Sequence, residues 1–374
     1  MTKILQLVST FQIKTDTKWL ARLLPAIDRN RFELTVAAFY DDGPARAQFE
    51  RHGIACRLLG VRSAWDGRSL VSPLRLIERL RPDLVHTHLL RADLFGGLAA
   101  AMTGTPLVST VYAHGPYRRQ YRRPGLDALL DRLTVRLPDR IVAVCRDIKL
   151  DLVRRLGVPD CRVAVIHTGM DPLETAPADV DRVRRQYDLP SDRPVVMVPA
   201  RLSYEKGIDT LLRAVRAFLD RGGRAAFLIA GTGALETELH NLAQRLDLQP
   251  HVRFLGFVHD IELLLAAADL VVLPSYSEGL PNAALETFAA ARPLVASAVG
   301  GINDLAEYDP RAIVRVEPGR PLDLADRILE VLRSPSLAAD LADRGLRIIK
   351  RNLATARVAA EYERLYVSLL QSEP

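Results

Sequence analysis

Two glutamates, Glu278 and Glu286, stand eight positions apart in the stretch SEGLPNAALETF at 277–288. An ionised carboxylate only accepts hydrogen bonds, and it costs free energy in apolar surroundings unless something pairs with it. The apolar runs DLVVLP before this stretch and RPLVAS after it read as buried strands, so the pair sits at a strand end. Gly279, Leu280 and Pro281 shape a loop, and Asn282 opens the helix that carries Glu286. Such a turn aims backbone N–H groups outward, where they suit a phosphate. A carboxylate in the first helical turn would also suit the helix dipole, which is the plain structural explanation for Glu286 but leaves Glu278 unexplained. Upstream, PARLSYEKGID at 199–209 places Arg201 and Lys206 ahead of another helix start. Two cations there fit a polyanion, most simply a diphosphate, unless they are ordinary surface charges. Two acceptor-only groups beside a phosphate-binding turn are what recognition of sugar hydroxyls requires.

Other chemistries have weaker support. In IAGTGALETEL, Gly231 and Gly233 match part of a dinucleotide fingerprint, but Glu236 occupies the third glycine's place. No acidic residue closes the following run VRFLGF to hold a ribose, and there is no P-loop. Lys206 is the only lysine between 150 and 349, and phosphate binding explains it better than a pyridoxal phosphate Schiff base does. His86 and His88 alternate on one strand face, but no third ligand of suitable spacing accompanies them, so strand-end packing is favoured over a metal. No metal or other cofactor is expected, since the phosphate site supplies its own cations.

The charge pattern adds a second feature. Lysine contributes six of the 51 basic residues and the formal net charge is +6. Arg118, Arg119, Arg122 and Arg123 crowd into HGPYRRQYRRPG at 114–125, with tyrosines between them. This is either a solvated loop or a site for anionic lipid head groups or a phosphorylated acceptor. A nucleic-acid partner is disfavoured because no recognition helix or stacking motif accompanies it.

These residues must be positioned by a scaffold, and the scaffold is legible. A chain of 374 residues, 48% hydrophobic and 26% charged, is a soluble globular composition of more than one core. Short apolar runs alternate with amphipathic helical stretches, the signature of parallel α/β sheets. Six strand candidates fall in the first half: KILQLVS, FELTVAAF, DLVHTH, PLVSTVY, RIVAV and RVAVIH. The interval 169–193 breaks the rhythm with three prolines, and six further candidates follow from PVVMVP to AIVRV. The expected architecture is two doubly wound α/β domains facing a cleft, with ligands at the carboxyl ends of the strands. The expected boundaries are a first domain at 1–168, a linker at 169–193, a second domain at 194–352 and a C-terminal helix at 353–374. Val358, Tyr362, Leu365, Tyr366 and Leu369 give that helix an apolar face, with the first domain as its dock. No apolar run reaches the length of a membrane span, MTKILQLVST reads as a first strand rather than a signal peptide, and three cysteines fit no disulfide framework. The expectation is a cytoplasmic protein, peripheral on the inner face of the membrane if the arginine loop binds lipid.

The run from PARLSYEKGIDTLLRA through FLIAGTGALETEL to VRFLGFVHDIELLLAAADLVVLPSYSEGLPNAALETFAAARPLVASAVGG resembles glycosyltransferase family 4, including the spacing of Glu278 and Glu286. RPDLVHTHLLRADLFGGLAA, TVYAHG and DRIVAVCRDI…VIHTGMD are similar at lower specificity. The resemblance implies the GT-B fold and sugar transfer, with retention, from a nucleoside diphosphate (a UDP-sugar favoured over GDP-mannose) to a hydroxyl acceptor, hexosyl or N-acetylhexosaminyl transfer in surface polysaccharide or lipid-linked glycan synthesis. It makes 1–168 an acceptor-side domain, 194–352 a nucleotide-sugar donor-binding domain and 353–374 a helix docking on the first domain. It further implies that Glu286 binds the ribose and Glu278 the donor sugar. Arg201, Lys206 and the turn Gly279–Asn282 would hold the diphosphate, Phe257 and Val258 the base, and His114 would stand at the anomeric centre. A nucleotide-sugar epimerase or hydrolase, or a silent nucleotide-sugar-binding protein, is the alternative. One departure bears on the acceptor: the family's Gly-Gly loop after the first strand is replaced by STFQIKTDTKWLARLL, with no glycine before Gly43. A loop without glycine avoids positive φ, so Thr15, Thr17, Lys14 or Lys18 would take over its contacts.

Overall fold

The computed structural model describes residues 1–63, 66–113, 130 and 132–371. They divide into two compact units, Met1–Gly169 with Thr355–Pro374, and Met170–Ala354.

The first unit is built on a seven-stranded sheet, every pairing of which is parallel. Its strands are β1 (Thr2–Val8), β2 (Phe32–Ala38), β3 (Ala55–Leu58), β4 (Leu84–His88), β5 (Leu107–Val111), β6 (Arg140–Ala143) and β7 (Val163–Val165), in the order β3-β2-β1-β4-β5-β6-β7. The central strands are buried on both faces: Ile4–Val8 of β1 and all of β4 are buried, and the polar side chains among them, Gln6, His86, Thr87 and His88, are hydrogen-bonded. The edge strand β3, sequence ACRL, buries only Cys56, so it lacks the pattern by which its neighbours are recognised.

The last helix, Thr355–Gln371, belongs to this unit. Val358, Ala359, Tyr362 and Tyr366 bury one face of it against Trp19, Leu20, Leu23 and Leu24 of the helix Thr15–Ala26 and against β1 and β2. Tyr366 meets Phe32 edge-on at 6.1 Å, and Glu363 accepts from the Asp28 amide and from Arg31. The C-terminal helix therefore crosses back to the first unit.

The second unit repeats the plan with β8 (Val195–Pro199), β9 (Ala226–Ala230), β10 (Val252–Gly256), β11 (Leu270–Leu273), β12 (Leu294–Ser297) and β13 (Val314–Val316). Their order is β10-β9-β8-β11-β12-β13, again all parallel. In both sheets the order reverses beside the unit's first strand, at β1/β4 and β8/β11, the switch point of doubly wound folds. The helices Ile208–Asp220 and Pro321–Arg333 pack on one face through Leu211, Val215, Phe218, Leu324 and Ile328. The proline-rich interval 169–193 is more than a connection. It holds the helix Pro177–Gln186, whose Val183 is buried, and Leu173 donates its amide to Ala289. No helix among the described residues is long and apolar enough to cross a membrane.

Candidate active site

The second unit gathers its chemistry where β8 and β11 part. Each strand runs into a loop and then a helix, so the loops meet at the carboxyl end of the sheet. Lys206, in the loop after β8, donates to both oxygens of Glu278, in the loop after β11, at 2.7 and 2.8 Å. Ser275 adds a hydroxyl bond to the same carboxylate at 2.7 Å. Only 18% of the Lys206 side chain and 9% of Glu278 are exposed, so each is the other's principal counter-charge. Arg201 is 62% exposed and rests on Glu205 at 2.9 Å, which an approaching anion can displace at little cost. Burial pushes the Glu205 carboxyl up, but the Ser203 hydroxyl, its own amide and the charges of Arg201 and Lys206 hold it below the usual range overall.

Glycine allows these loops to lie on one another. Gly207 has φ +61°, and a Cβ there would stand 2.1 Å from the Pro274 carbonyl oxygen. Gly300 has φ +46° and would meet the Glu278 carbonyl at 2.0 Å. Neither position accepts a side chain, so close backbone contact fixes where Lys206 and Glu278 point. Amide bonds complete the lattice: Tyr276 to Glu205 O, Gly301 to Gly279 O, and Leu202 to Thr232 O.

The helix Asn282–Ala289 follows, with Pro281 as its extended N-cap. Ala284 and Leu285 donate to the Pro281 carbonyl, so Asn282 and Ala283 are the opening amides without an intrahelical partner, in the turn that follows Glu278. Leu280 and Pro281 are buried and support the turn. Glu286 is the fifth residue of this helix and is 5% exposed. It lies beyond the first turn, so compensation of the helix dipole does not account for it. Phe257, just past β10, is 71% exposed with His259 edge-on at 5.1 Å, whereas its neighbour Val258 is buried.

Several neighbours carried no signal in the sequence. Tyr276 donates to Asp209 and shares a hydrogen bond with Thr210, while its ring stacks on Tyr204 at 5.2 Å. Ser275 holds the Glu278 carboxylate and Glu205 holds Arg201. Nothing in their types or spacing sets them apart from ordinary loop residues.

In the first unit, the glycine-free loop after β1 is held by Thr17. Its hydroxyl accepts from the Lys14 amide at 2.8 Å and donates to the Gln12 carbonyl at 2.7 Å. Thr15 is exposed at the first helical position and Lys18 is half-buried. Between them, Asp16 is buried, and neither of its oxygens has a hydrogen-bond partner among the described residues. Burial raises its carboxyl to about 6. The nearby amides of Thr17 and Asp16 fall short of bonding geometry and, with Lys14, offset the rise only in part.

His86 and His88 pack ring to ring at 4.2 Å, with all four ring nitrogens engaged. Gln6 Oε1 can only accept, which assigns the proton to His88 Nε2 and leaves His88 Nδ1 to accept from the Tyr112 hydroxyl. Gln6 donates in turn to the Tyr366 hydroxyl, Tyr366 to His86 Nδ1, and His86 Nε2 to Thr110. Burial drives the His88 imidazole down to about 3 and His86 well below its usual value, so both are neutral. His114, Arg118, Arg119, Arg122 and Arg123 lie outside the described residues.

Matches with known proteins cover both halves of the chain. The family model described as Glycosyltransferase Family 4 matches residues 17–173, and that of Glycosyl transferases group 1 matches 179–347. Alpha-D-kanosaminyltransferase of Streptomyces kanamyceticus is 30% identical over 302 residues, covering 76% of this chain and 78% of that protein. The 2-deoxystreptamine glucosyltransferase of the same organism is 28% identical over 294 residues, 75% and 76% of the two chains. Among solved structures, Anabaena HepE in complex with UDP-glucose superposes with a TM-score of 0.85 over 98% of this chain and 100% of its own, at 22% identity. That likeness speaks to the fold. With two parallel doubly wound sheets and family matches over both halves, the chain belongs to glycosyltransferase family 4 and has the GT-B fold.

Proposed function

We propose that this glycosyltransferase takes its sugar from a nucleoside diphosphate, in first preference a UDP-sugar, and passes it with retention to a hydroxyl acceptor. The observation that carries this is the Lys206–Glu278 pair, held between two loops at the switch point of the second sheet beside the opening of the helix that bears Glu286. A UDP-sugar is favoured because HepE, a neighbour in fold, is complexed with UDP-glucose. In this reading Arg201, Lys206 and the Asn282 amide end bind the diphosphate, where the leaving group gathers charge. Preorganised donors in that position are worth most in the transition state. Glu286 takes the ribose hydroxyls, Phe257 offers its exposed ring to the base, and Glu278 contacts the transferred sugar.

When the diphosphate arrives it competes with Glu278 for Lys206. That exchange turns Glu278 from a paired carboxylate into an acceptor for sugar hydroxyls. Because two cations neutralise the leaving group, turnover proceeds without a divalent metal. The acceptor is assigned to the first unit, with Thr15, Lys18, Asp16 and His114 as its candidates. The arginine cluster at 118–123 would add contacts to a lipid-linked or phosphorylated acceptor or to an anionic membrane.

The test is calorimetric titration with UDP, GDP and ADP, followed by NMR of the product's anomeric configuration with the matching sugar nucleotide. UDP is expected to bind most tightly, the product to keep the donor's configuration, and activity to survive EDTA. A metal requirement, or inversion, would reject this account of the site.

A further inference from the structure

The opposite end of the second sheet carries a site of its own. Because β8, β9 and β10 are adjacent and parallel, the residues leading into them converge at the amino edge. Val195 pairs with Ala226, Phe227 with Val252 and Leu228 with Arg253. Arg193 precedes β8, His251 precedes β10 and Arg253 lies within it. With Asp188, Pro190, Ala226 and Pro250 they line a recess of about 370 Å³.

Its polar groups are unevenly matched. Arg253 is partly engaged, donating to the Asp188 carbonyl at 2.9 Å where the helix Pro177–Gln186 ends. Nearby, Arg184 binds the Ala267 and Pro190 carbonyls in the same manner. Such contacts are the ordinary work of arginine at helix C-termini. Arg193 Nε and His251 Nδ1 have no such work: both atoms are buried, and neither has a partner among the described residues. Two guanidinium groups face the single carboxylate of Asp188, so the recess is positive on balance. Buried hydrogen-bonding groups are rarely left unmatched in a folded protein.

We propose that this recess binds a small phosphate-bearing anion, its oxygens accepting from the guanidinium groups of Arg193 and Arg253 and from the His251 imidazole once protonated. A guanidinium fork suits phosphate oxygens, and the volume admits orthophosphate or a sugar phosphate. The site is separate from the loops of Lys206 and Glu278, which lie at the other end of the same strands. Binding is linked to His251. Burial first, and then the charges of Arg193 and Arg216, depress its imidazole. Arg253 and Asp188 also line the recess beside it. A bound anion reverses the balance, so His251 takes up a proton and affinity rises as pH falls through its titration.

The experiment follows the His251 ring resonances of the full chain during titration with orthophosphate and, separately, glucose 1-phosphate. Either anion is expected to raise the pH at which His251 titrates. A response to both identifies the phosphate group as the recognised part, and a response to the sugar phosphate alone identifies that ligand as the source. Arg193→Gln should weaken the bound anion about tenfold, as for loss of one charge-assisted bond, while UDP binding is unchanged. Arg193→Lys keeps the charge without the fork and should fall between the two, which separates recognition from misfolding. His251 resonances indifferent to both anions, or anion affinity untouched by Arg193→Gln in a folded protein, would overturn the proposal.

Discussion

At the scale of single residues, the two glutamates make separable predictions. A contact with the ribose is the same in ground and transition states, whereas a contact with the sugar strengthens as the ring gains charge. Glu286→Gln should weaken UDP binding and raise the donor KM. Glu278→Gln should lower kcat by roughly 10²–10³, the usual loss for one preorganised electrostatic contact. Because Glu278 holds Lys206 in the free protein, removing its charge should leave UDP affinity equal or higher. Calorimetry beside steady-state kinetics would reveal reversed roles as lost UDP affinity in the Glu278 variant alone. Asp16 makes a different prediction. Its carboxyl is raised from an ordinary 3.8 to about 6 by burial. As pH rises from the lower value to the higher, the unfolded chain gives up its proton first, so stability falls and stays lower above about 6. Two pKa units correspond to about 3 kcal/mol. Urea unfolding across this window should show that slope in the natural protein and a flatter profile in Asp16→Asn. Equal slopes would mean that Asp16 is partnered after all.

Among the elements, the Thr355–Gln371 helix is joined to the sheet by a polar hub as well as an apolar face. Tyr366→Phe keeps the ring but leaves Gln6 Nε2 and His86 Nδ1 buried without the hydroxyl that both use. Removing one partner of a buried hydrogen bond costs about 1–3 kcal/mol, so thermal unfolding should shift downward while transfer activity is retained in the folded fraction. An unchanged midpoint would mean that water replaces the hydroxyl. The helix itself was legible in the sequence because its apolar residues repeat at helical spacing. Its polar hub was not: His86 and His88 could be placed on one strand face, but Gln6, Thr110, Tyr112 and Tyr366 come from distant positions that only the parallel sheet brings together. The same limit hid the edge strand β3, with one buried residue in four, and the helix Pro177–Gln186, whose prolines flank it rather than break it. The strand-end loops were legible because glycine, proline and charge cluster there. The partners of Arg201 and Lys206 were not, since the pairing depends on how loops 72 residues apart are stacked.

For the molecule as a whole, the first unit is discontinuous: its final piece, Thr355–Pro374, follows all of the second. Deleting that piece should uncover Trp19, Leu20 and Leu23 and lower the stability of the first unit, while the second keeps its own core. Calorimetric unfolding of the truncated chain should then separate into an early and a late transition, and a single transition at the original temperature would contradict this division. The arrangement also bears on how the protein is made. Domains usually fold in the order in which they leave the ribosome. Here the first unit's sheet emerges early, with Tyr366 and its neighbours still untranslated. At ordinary elongation rates, roughly 10–40 s pass before the missing helix appears. Through that interval an apolar groove stays open on the nascent chain, inviting chaperones or aggregation. The second unit can finish before the first, reversing the usual N-to-C sequence, and the emergence of Thr355–Gln371 becomes the event that completes the first unit's core.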